Sequence, residues 1–157
     1  AGSVGMHLAE HLANDGANVF ISDIDKSKLE NIDNPNINPI DDAFSLECDV
    51  FSPCALGAIF NESSIKSLNC KIIAGGANNQ LQDLSIANAL HNRDIIYIPD
   101  ILINSGGAIG LTKDLMKRNE VETESDLMNI AYRVREALTE SQEKSINLQD
   151  TIRELII

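Results

Sequence analysis

Short apolar runs alternate with amphipathic stretches along most of the chain, and this alternation predicts an α/β fold. Apolar runs rich in β-branched residues predict strands at residues 17–23, 48–51, 70–74 and 95–98, with a briefer one near Ile37. Apolar positions three or four residues apart predict a first helix that ends near Leu12 and later helices at residues 26–32, 63–68, 84–92 and 109–116. Because strands that alternate with helices form βαβ units, the predicted fold is a doubly wound, mainly parallel sheet.

The last part of the chain carries a helical pattern without a strand signal. One apolar stripe belongs to a helix that begins near Ser125, and it consists of Leu127, Ile130, Ala131, Val134 and Leu138. A second helix has the stripe Ile152, Leu155 and Ile156. We therefore predict that residues 1–121 form the sheet-containing domain. Residues 122–157 form helices that pack on this domain or on a domain outside the sequence.

Composition and charge narrow the classes of function. The 157 residues correspond to about one domain, 43% of them are apolar, and the formal net charge is −12 with a pI near 4.5. This acidic balance argues against a nucleic-acid or anionic-membrane partner, since both select basic surfaces. No apolar run approaches the roughly 20 residues of a membrane-spanning helix. Cys48, Cys54 and Cys70 lack metal-ligand spacing, so we expect reduced, packed thiols in a cytoplasmic protein.

The chain opens inside a glycine pattern that is typical of dinucleotide binding. The fingerprint G-x-G-x-x-G joins a strand to a helix, and Gly2 and Gly5 match its second and third glycines. Its first glycine would precede Ala1, so we expect an N-terminally truncated sequence whose sheet lacks the first strand. Gly2 would let a pyrophosphate approach the backbone, and Gly5 would allow close packing of helix and strand. The helix N-terminus would offer free N–H groups to the phosphates.

An acidic residue stands where the fingerprint requires one, at the end of the strand predicted over residues 17–23. Asp23 would accept hydrogen bonds from the adenosine ribose hydroxyls and would repel the additional phosphate of NADP. Asp25 adds to that repulsion, whereas Lys26 opposes it. The predicted sheet is therefore Rossmann-like, residues 1–121 are a partial NAD-binding domain, and NAD is the expected cofactor.

Two adjacent amides follow the strand predicted over residues 70–74. Small residues at 74–77 separate this strand from Asn78 and Asn79, and small residues let a flat ligand approach the backbone closely. Paired amides at the carboxyl end of a strand can present donors and acceptors to such a ligand, because this is where open α/β sheets bind ligands.

One motif competes with this interpretation. His7 and His11 fit the zinc pattern H-x-x-E-H and would lie on one face of a helix. A zinc enzyme needs a third ligand, and the sequence supplies no obvious one. We therefore expect two surface histidines and no metal site, with a zinc hydrolase as the weakest alternative.

Further motifs cover nearly the whole chain, and they follow the order and the spacing found in one protein family. They comprise Val4 and Gly5 with residues 7–9, residues 16–18 leading to Asp23, and residues 48–57, 77–81, 99–100 and 103–107. In these segments the chain resembles the cofactor domain of the Glu/Leu/Phe/Val amino-acid dehydrogenases. It is most similar to the leucine branch of that family and then to the phenylalanine branch.

The resemblance implies a reversible oxidative deamination that uses NAD. An L-amino acid, NAD⁺ and water would give a 2-oxo acid, ammonium and NADH, with the hydride leaving the α-carbon of the substrate. The partners implied are the small-molecule substrates and, in the full-length protein, further copies in a homo-oligomer. The catalytic lysines and carboxylate of the family belong to an N-terminal domain, so the resemblance places no catalytic residue in this sequence and implies that it is inactive alone.

The resemblance also implies roles for single residues. The pyrophosphate would be held by Gly2, Ser3, Val4 and Gly5, and the adenosine ribose by Asp23. The cofactor cleft would be lined by Cys54, Ala55 and Leu56. The nicotinamide and the substrate would be contacted by Ala77, Asn78 and Asn79.

Two apolar residues fall where the family shapes its side-chain pocket. Ala108 and Leu111 would give a glutamate side chain no partner, which disfavours a glutamate substrate. The small Ala108 leaves room for a phenyl ring, so leucine-type and phenylalanine substrates both stay open. A different class of function, a non-catalytic NAD(H)-binding module, also stays open, although a sensor would not need the amide pair.

Overall fold

The computed structural model of the chain describes residues 1–30, 32–55 and 57–156, without the side chains of residues 155 and 156. The strands in these residues are β1 Val19–Ile21, β2 Ile37–Pro39, β3 Glu47–Phe51, β4 Asn69–Ile73 and β5 Ile96–Tyr97. The α-helices are α1 Ser3–Asn14, α2 Ser64–Ser67, α3 Ser85–His91, α4 Asp100–Ile103, α5 Gly106–Thr112, α6 Glu120–Lys144 and α7 Leu148–Ile156. A short 3₁₀ helix covers Lys26–Leu29.

The paired strands are parallel throughout and divide into two sheets. β1 pairs with β2, while β3, β4 and β5 pair in chain order. The predicted α/β class with parallel strands and a helical tail is confirmed. Within the described residues, no strand pairing joins this pair to the triplet.

Helix α1 packs on the strand pair. Ala9 and Ala13 lie on its buried face and contact a small cluster that includes Ile21 and Ile37. The helix ends before Gly16, which has a φ of +90° that suits glycine. The chain then turns directly into β1, so α1 and β1 are neighbours.

The strand triplet surrounds the main core of the described residues. Phe60, Ile73 and Leu90 are fully buried there, and Tyr97 is 5% exposed. The ring of Phe60 packs edge-on against the rings of Phe51 and Tyr97, at centroid distances of 5.9 and 6.4 Å. This aromatic packing fixes β3 and β5 on either side of β4.

The C-terminal helices pack on the triplet rather than standing free. Leu148 and Ile152 of α7 and Ala137 of α6 form a third cluster with Ile98, which follows β5. The side chain of Asn119 caps α6, so the helix begins five residues before the predicted Ser125. The described part of α6 and α7 therefore completes the layer that covers β5.

Some local predictions differ from the structure. The predicted helix over residues 26–32 is only a 3₁₀ turn, and Asn31 within it lies outside the described residues. Helix α4 lies in a predicted loop, and α5 begins three residues earlier than predicted. In the part of the chain that the structure describes, every helix is too short or too polar to cross a bilayer.

Candidate functional site

Three segments meet at the carboxyl ends of the parallel strands: the start of α1, the loop after β3 and the loop after β4. A methyl group placed on Gly5 would lie 3.1 Å from Cβ of Cys54, and one placed on Gly76 would lie 3.0 Å from Cγ1 of Val4. The three segments are thus in direct contact, and a side chain at Gly5 or Gly76 would require its neighbour to shift. This edge is where open α/β sheets bind ligands.

The first turn of α1 is open toward this edge. A methyl group on Gly2 would meet no described atom within 4 Å, and Ser3 and Val4 are exposed. The first N–H groups of a helix have no partner within it and carry its positive dipole end. This turn can therefore receive an anionic group at the backbone.

Asp23 lies beside that turn, two residues after β1 ends. Its Oδ2 accepts a hydrogen bond of 2.8 Å from the amino group of Ala1, and its Oδ1 accepts one of 2.9 Å from the Asp25 amide. The Ala1 amino group and the Asp25 amide both lower the pKa of Asp23 below its ordinary value. The side chain is therefore an ionised carboxylate at neutral pH, next to the open helix turn.

The loops after β3 and β4 are fastened to each other by main-chain contacts. Ala74 donates its N–H to Phe51 O at 3.1 Å, and Ala77 donates to Pro53 O at 2.9 Å. A methyl group on Gly75 would come well within 3.0 Å of the Pro53 backbone, a distance that real Cβ atoms essentially never show. Cys54, which follows Pro53, is thereby placed between the start of α1 and the β4 loop.

The two amides of the β4 loop are anchored by residues that follow β5. Asn79 has a φ of +51°, and its N–H donates to Oδ2 of Asp100 at 2.6 Å. Oδ1 of Asn78 accepts a hydrogen bond from Nδ2 of Asn104. Both asparagines are exposed at the surface of the site. Their positions are fixed by the hydrogen bonds with Asp100 and Asn104.

Gln80 is a supporting residue for which sequence reasoning found no role. It is fully buried, and its Nε2 donates to Gly75 O at 3.0 Å and to Ala77 O at 2.9 Å. Its Oε1 has no hydrogen-bond partner among the described residues. Glutamine is usually exposed, and two exposed asparagines precede Gln80, so the sequence pattern gives little sign that it is buried. The only sequence hint is that an apolar residue, Leu81, follows it.

The remaining predicted site residues lie less centrally. Ala55 is exposed beside Cys54, and Leu56 lies outside the described residues. Ala108 and Leu111 are exposed on α5, and Leu111 keeps 84% of its surface open. No contact in the described part of the chain joins either of them to Asn79. Helix α5 nevertheless begins two residues after Asn104, so it is close along the chain to the amide pair.

Two cavities flank this region at different distances. One, of about 260 Å³, lies beyond Asp23 and is lined by Lys26, Leu29, Glu30, Pro39, Ile40 and Asp41. The other, of about 290 Å³, lies between α3, α6 and α7 at the start of β5, away from the glycine and amide loops. Neither of these two cavities is lined by a described residue of the glycine or amide loops.

The two histidines of the zinc-like motif lie on α1. Nδ1 of His7 is 2.7 Å from Ser3 O in its own helix, and both histidines are exposed. Within the described residues, no three His, Cys, Asp or Glu side chains form a group that could hold a metal ion. The thiols of Cys48, Cys54 and Cys70 are free, and burial raises the pKa of Cys70 to about 11.

Comparison with known proteins agrees with this geometry. The model of the family described as Glutamate/Leucine/Phenylalanine/Valine dehydrogenase matches residues 2–151. Leucine dehydrogenase of Bacillus subtilis (strain 168) is 36% identical over 149 residues, which are 92% of this chain and 41% of the relative. Phenylalanine dehydrogenase of Lysinibacillus sphaericus is 39% identical over 127 residues, which are 76% of this chain and 33% of the relative.

A solved structure extends the likeness to the fold. The crystal structure of L-tryptophan dehydrogenase from Nostoc punctiforme has a TM-score of 0.92 and 32% sequence identity to this chain. The match covers 99% of this chain and 48% of that one. The chain thus spans less than half the length of each of these three relatives.

Proposed function

This chain belongs to the Glutamate/Leucine/Phenylalanine/Valine dehydrogenase family, and from that premise we propose that it is the NAD-binding part of a leucine-type L-amino-acid dehydrogenase. The full-length protein would convert a branched-chain L-amino acid to its 2-oxo acid and ammonium. The observation that carries this proposal is the contact of three loops at one sheet edge, with an ionised Asp23 on one side and an anchored amide pair on the other.

The residues at this edge fit a dinucleotide. The open turn at Gly2, with Ser3 and Val4, would hold the pyrophosphate through backbone N–H groups. Asp23 would accept hydrogen bonds from the ribose hydroxyls, and its charge favours NAD over NADP. Gly5 has no side chain, so the helix packs closely against the loop that carries Cys54. A flat cofactor could then lie along this surface without meeting a side chain at Gly5. When bound, NAD would supply the acceptor for the hydride from the substrate α-carbon.

The amide loop would orient the reacting groups. Asn78 and Asn79, with Ala77, would present donors and acceptors to the nicotinamide and the substrate. Their anchoring by Asp100 and Asn104 means that little side-chain or backbone freedom is lost when a ligand binds. Side chains fixed in this way would raise the rate of hydride transfer by keeping the substrate and the nicotinamide aligned, because a small displacement of the reacting atoms lowers that rate strongly.

Substrate choice would depend on α5 and on the parts of the protein outside this chain. Ala108 and Leu111 are apolar and exposed, as pocket residues are when the opposite wall is contributed by another segment. An apolar pocket favours leucine-type side chains and disfavours a carboxylate. The small Ala108 also suits phenylalanine, and relatives that act on phenylalanine and tryptophan belong to the same comparison.

The remaining features of the full-length protein are proposals of the same kind. The catalytic acid and base would lie outside residues 1–157, so this piece alone would turn over no substrate. The division at residue 121 into an NAD-binding domain and a helical tail, the homo-oligomer and the cytoplasmic location stay predictions.

The decisive experiment is an oxidative deamination assay of the full-length protein with NAD. A panel of L-leucine, L-valine, L-isoleucine, L-phenylalanine, L-tryptophan and L-glutamate would be compared by the formation of NADH. We expect the highest kcat/KM with a branched-chain substrate and none with glutamate. Binding of NAD without deamination of any panel member would support the alternative, a non-catalytic NAD(H)-binding module. Absence of NAD binding would contradict both.

A further inference from the structure

Two lysines on one short turn near Asp23 have different partners. Lys28 places Nζ 3.5 Å from Oδ1 of Asp23, whereas Lys26 places Nζ 2.8 Å from Oδ1 of Asp41. Both lysines belong to the 3₁₀ helix Lys26–Leu29, whose start is fixed by Asp25 through a hydrogen bond from the Ser27 amide. The turn therefore directs one ammonium group toward the ribose-binding carboxylate and the other away from it.

The surroundings of the two ion pairs also differ. The Asp23 side chain is 12% exposed, and that of Asp41 is 97% exposed. Lys28 is about half exposed, at 46%, so its ammonium group can still approach a ligand from solvent. The charge of Asp23 is thus partly compensated by the half-exposed ammonium group of Lys28.

This compensation bears on the difference between NAD and NADP. NADP carries an additional phosphate on the adenosine ribose, which a carboxylate repels and an ammonium group attracts. Lys28 lies within reach of the carboxylate that would bind that ribose, and it is the nearer of the two lysines. An ammonium group at this position lowers the repulsion of a 2′-phosphate more than it affects the neutral hydroxyl of NAD.

Resting on the proposed NAD site at Asp23, we infer that Lys28 is a specificity-determining residue that weakens discrimination against the 2′-phosphate. The site accepts NADP as a second, weaker cofactor because Lys28 partners its additional phosphate. Lys26 does not share this role, since its ammonium group lies 2.8 Å from the exposed Asp41 and not beside Asp23. Lys28, and not Lys26 as expected from the sequence, therefore opposes the repulsion of the additional phosphate.

The first test compares Lys28→Met with Lys26→Met in the full-length protein, by equilibrium binding of NAD and NADP. In Lys28→Met the Kd for NADP should rise about fivefold, which is the scale of one partly exposed charge interaction, while the Kd for NAD stays within about twofold. In Lys26→Met both constants should stay within about twofold. The effect of Lys28→Met should shrink as salt is added. Equal losses of NADP affinity in the two variants would show a general charge effect and would overturn the inference.

The second test removes the carboxylate. Asp23→Ser should lower the Kd for NADP by about tenfold, because repulsion is lost and Lys28 is free to bind the phosphate. Asp23→Ser combined with Lys28→Met should lose most of that gain. If the double variant binds NADP as tightly as Asp23→Ser, Lys28 is not the phosphate partner and the inference is wrong.

Loss of the NAD site and loss of the Lys28 contact give different binding results. Wild-type protein that binds neither cofactor, or an Asp23→Ser variant that leaves both affinities unchanged, would contradict the proposed NAD site itself. Tight NAD binding with a selectivity that is independent of Lys28 would contradict only the role of Lys28. Retained NAD affinity in Lys28→Met reports that the variant is folded.

Discussion

The two sides of the candidate site are built in different ways. After β1, Asp23 accepts hydrogen bonds from Ala1 and from the Asp25 amide, and it forms an ion pair with the half-exposed Lys28. After β4, the loop is held by close packing of Gly75 against the Pro53 backbone and by hydrogen bonds from the buried Gln80 to the loop carbonyls. Charge can therefore be changed on the first side without loss of the fold. On the second side even one methyl group disturbs the backbone.

The most severe change should be Gly75→Ala. The new methyl group would overlap the Pro53 backbone, which cannot move away like the end of a flexible side chain. We expect a loss of about 3 kcal/mol or more in the free energy of unfolding, measured by urea denaturation of the full-length protein. Gly107→Ala is the matched control, since its methyl group meets no described atom within 4 Å. Equal stability of the two variants would show that the β4 loop is not tightly packed.

Gln80→Leu should have the next largest effect. The substitution fills the buried space with an apolar side chain of similar size but removes the Nε2 group that donates to Gly75 O and Ala77 O. Two buried carbonyl groups lose their partner, so we expect a loss of about 2 kcal/mol in the free energy of unfolding. The exposed Gln82, changed to Leu, should alter stability by no more than about 0.5 kcal/mol. A comparable loss in both variants would remove Gln80 from its supporting role.

Asp100→Ala tests alignment rather than stability. Loss of the acceptor for the Asn79 N–H should lower kcat about tenfold, the scale of one hydrogen bond to a charged group, with little change in NAD affinity. Asp100→Asn keeps an acceptor oxygen and should recover most of the rate. The two variants are compared by kcat and by the Kd for NAD in the full-length protein. An unchanged kcat in Asp100→Ala would mean that the position of Asn79 does not depend on this contact.

The smallest effect should come from the pH dependence of the β1 side. The Ala1 amino group, the Asp25 amide and Lys28 lower the pKa of Asp23, and the last two contacts do so in a longer protein as well. The ionised side chain therefore favours the folded state, a contribution that is present above the ordinary pKa of 3.8 and is lost as pH falls below it. Asp23→Asn should flatten the loss of stability below about pH 4, followed by urea denaturation. An identical pH profile in the variant and the wild type would contradict the prediction.

Much of the fold could be predicted from local patterns. The apolar runs of β3 and β4, the buried face of α1 and the helical period of α6 each follow from spacing within one element. In the predicted apolar stripe of α6, however, Leu127 and Ala131 are exposed. The fingerprint glycines and Asp23 also give a local signal, since their interval reflects one helix and one strand. These features depend on neighbours in sequence, which is why a single sequence reveals them.

The supports of the site could not be predicted in the same way. Asp100 and Asn104 reach Asn79 and Asn78 across 21 and 26 positions of the chain. Burial of Gln80 results from the tertiary contact of two loops and has no periodic signature. The early start of α5 was missed because Gly106 and Gly107, which are weak helix formers, open the helix.

The contrast between the two tyrosines gives the molecule an internal reporter. Tyr97 is enclosed by the aromatic core, and that burial raises its pKa, whereas Tyr132 is 61% exposed on α6. A reagent that acylates phenolic oxygen should therefore label Tyr132 at once and Tyr97 only when the strand triplet opens. The labelling rate of Tyr97 therefore measures how often the strand triplet opens locally. This probe is useful because the sequence has no tryptophan to report on the core by fluorescence.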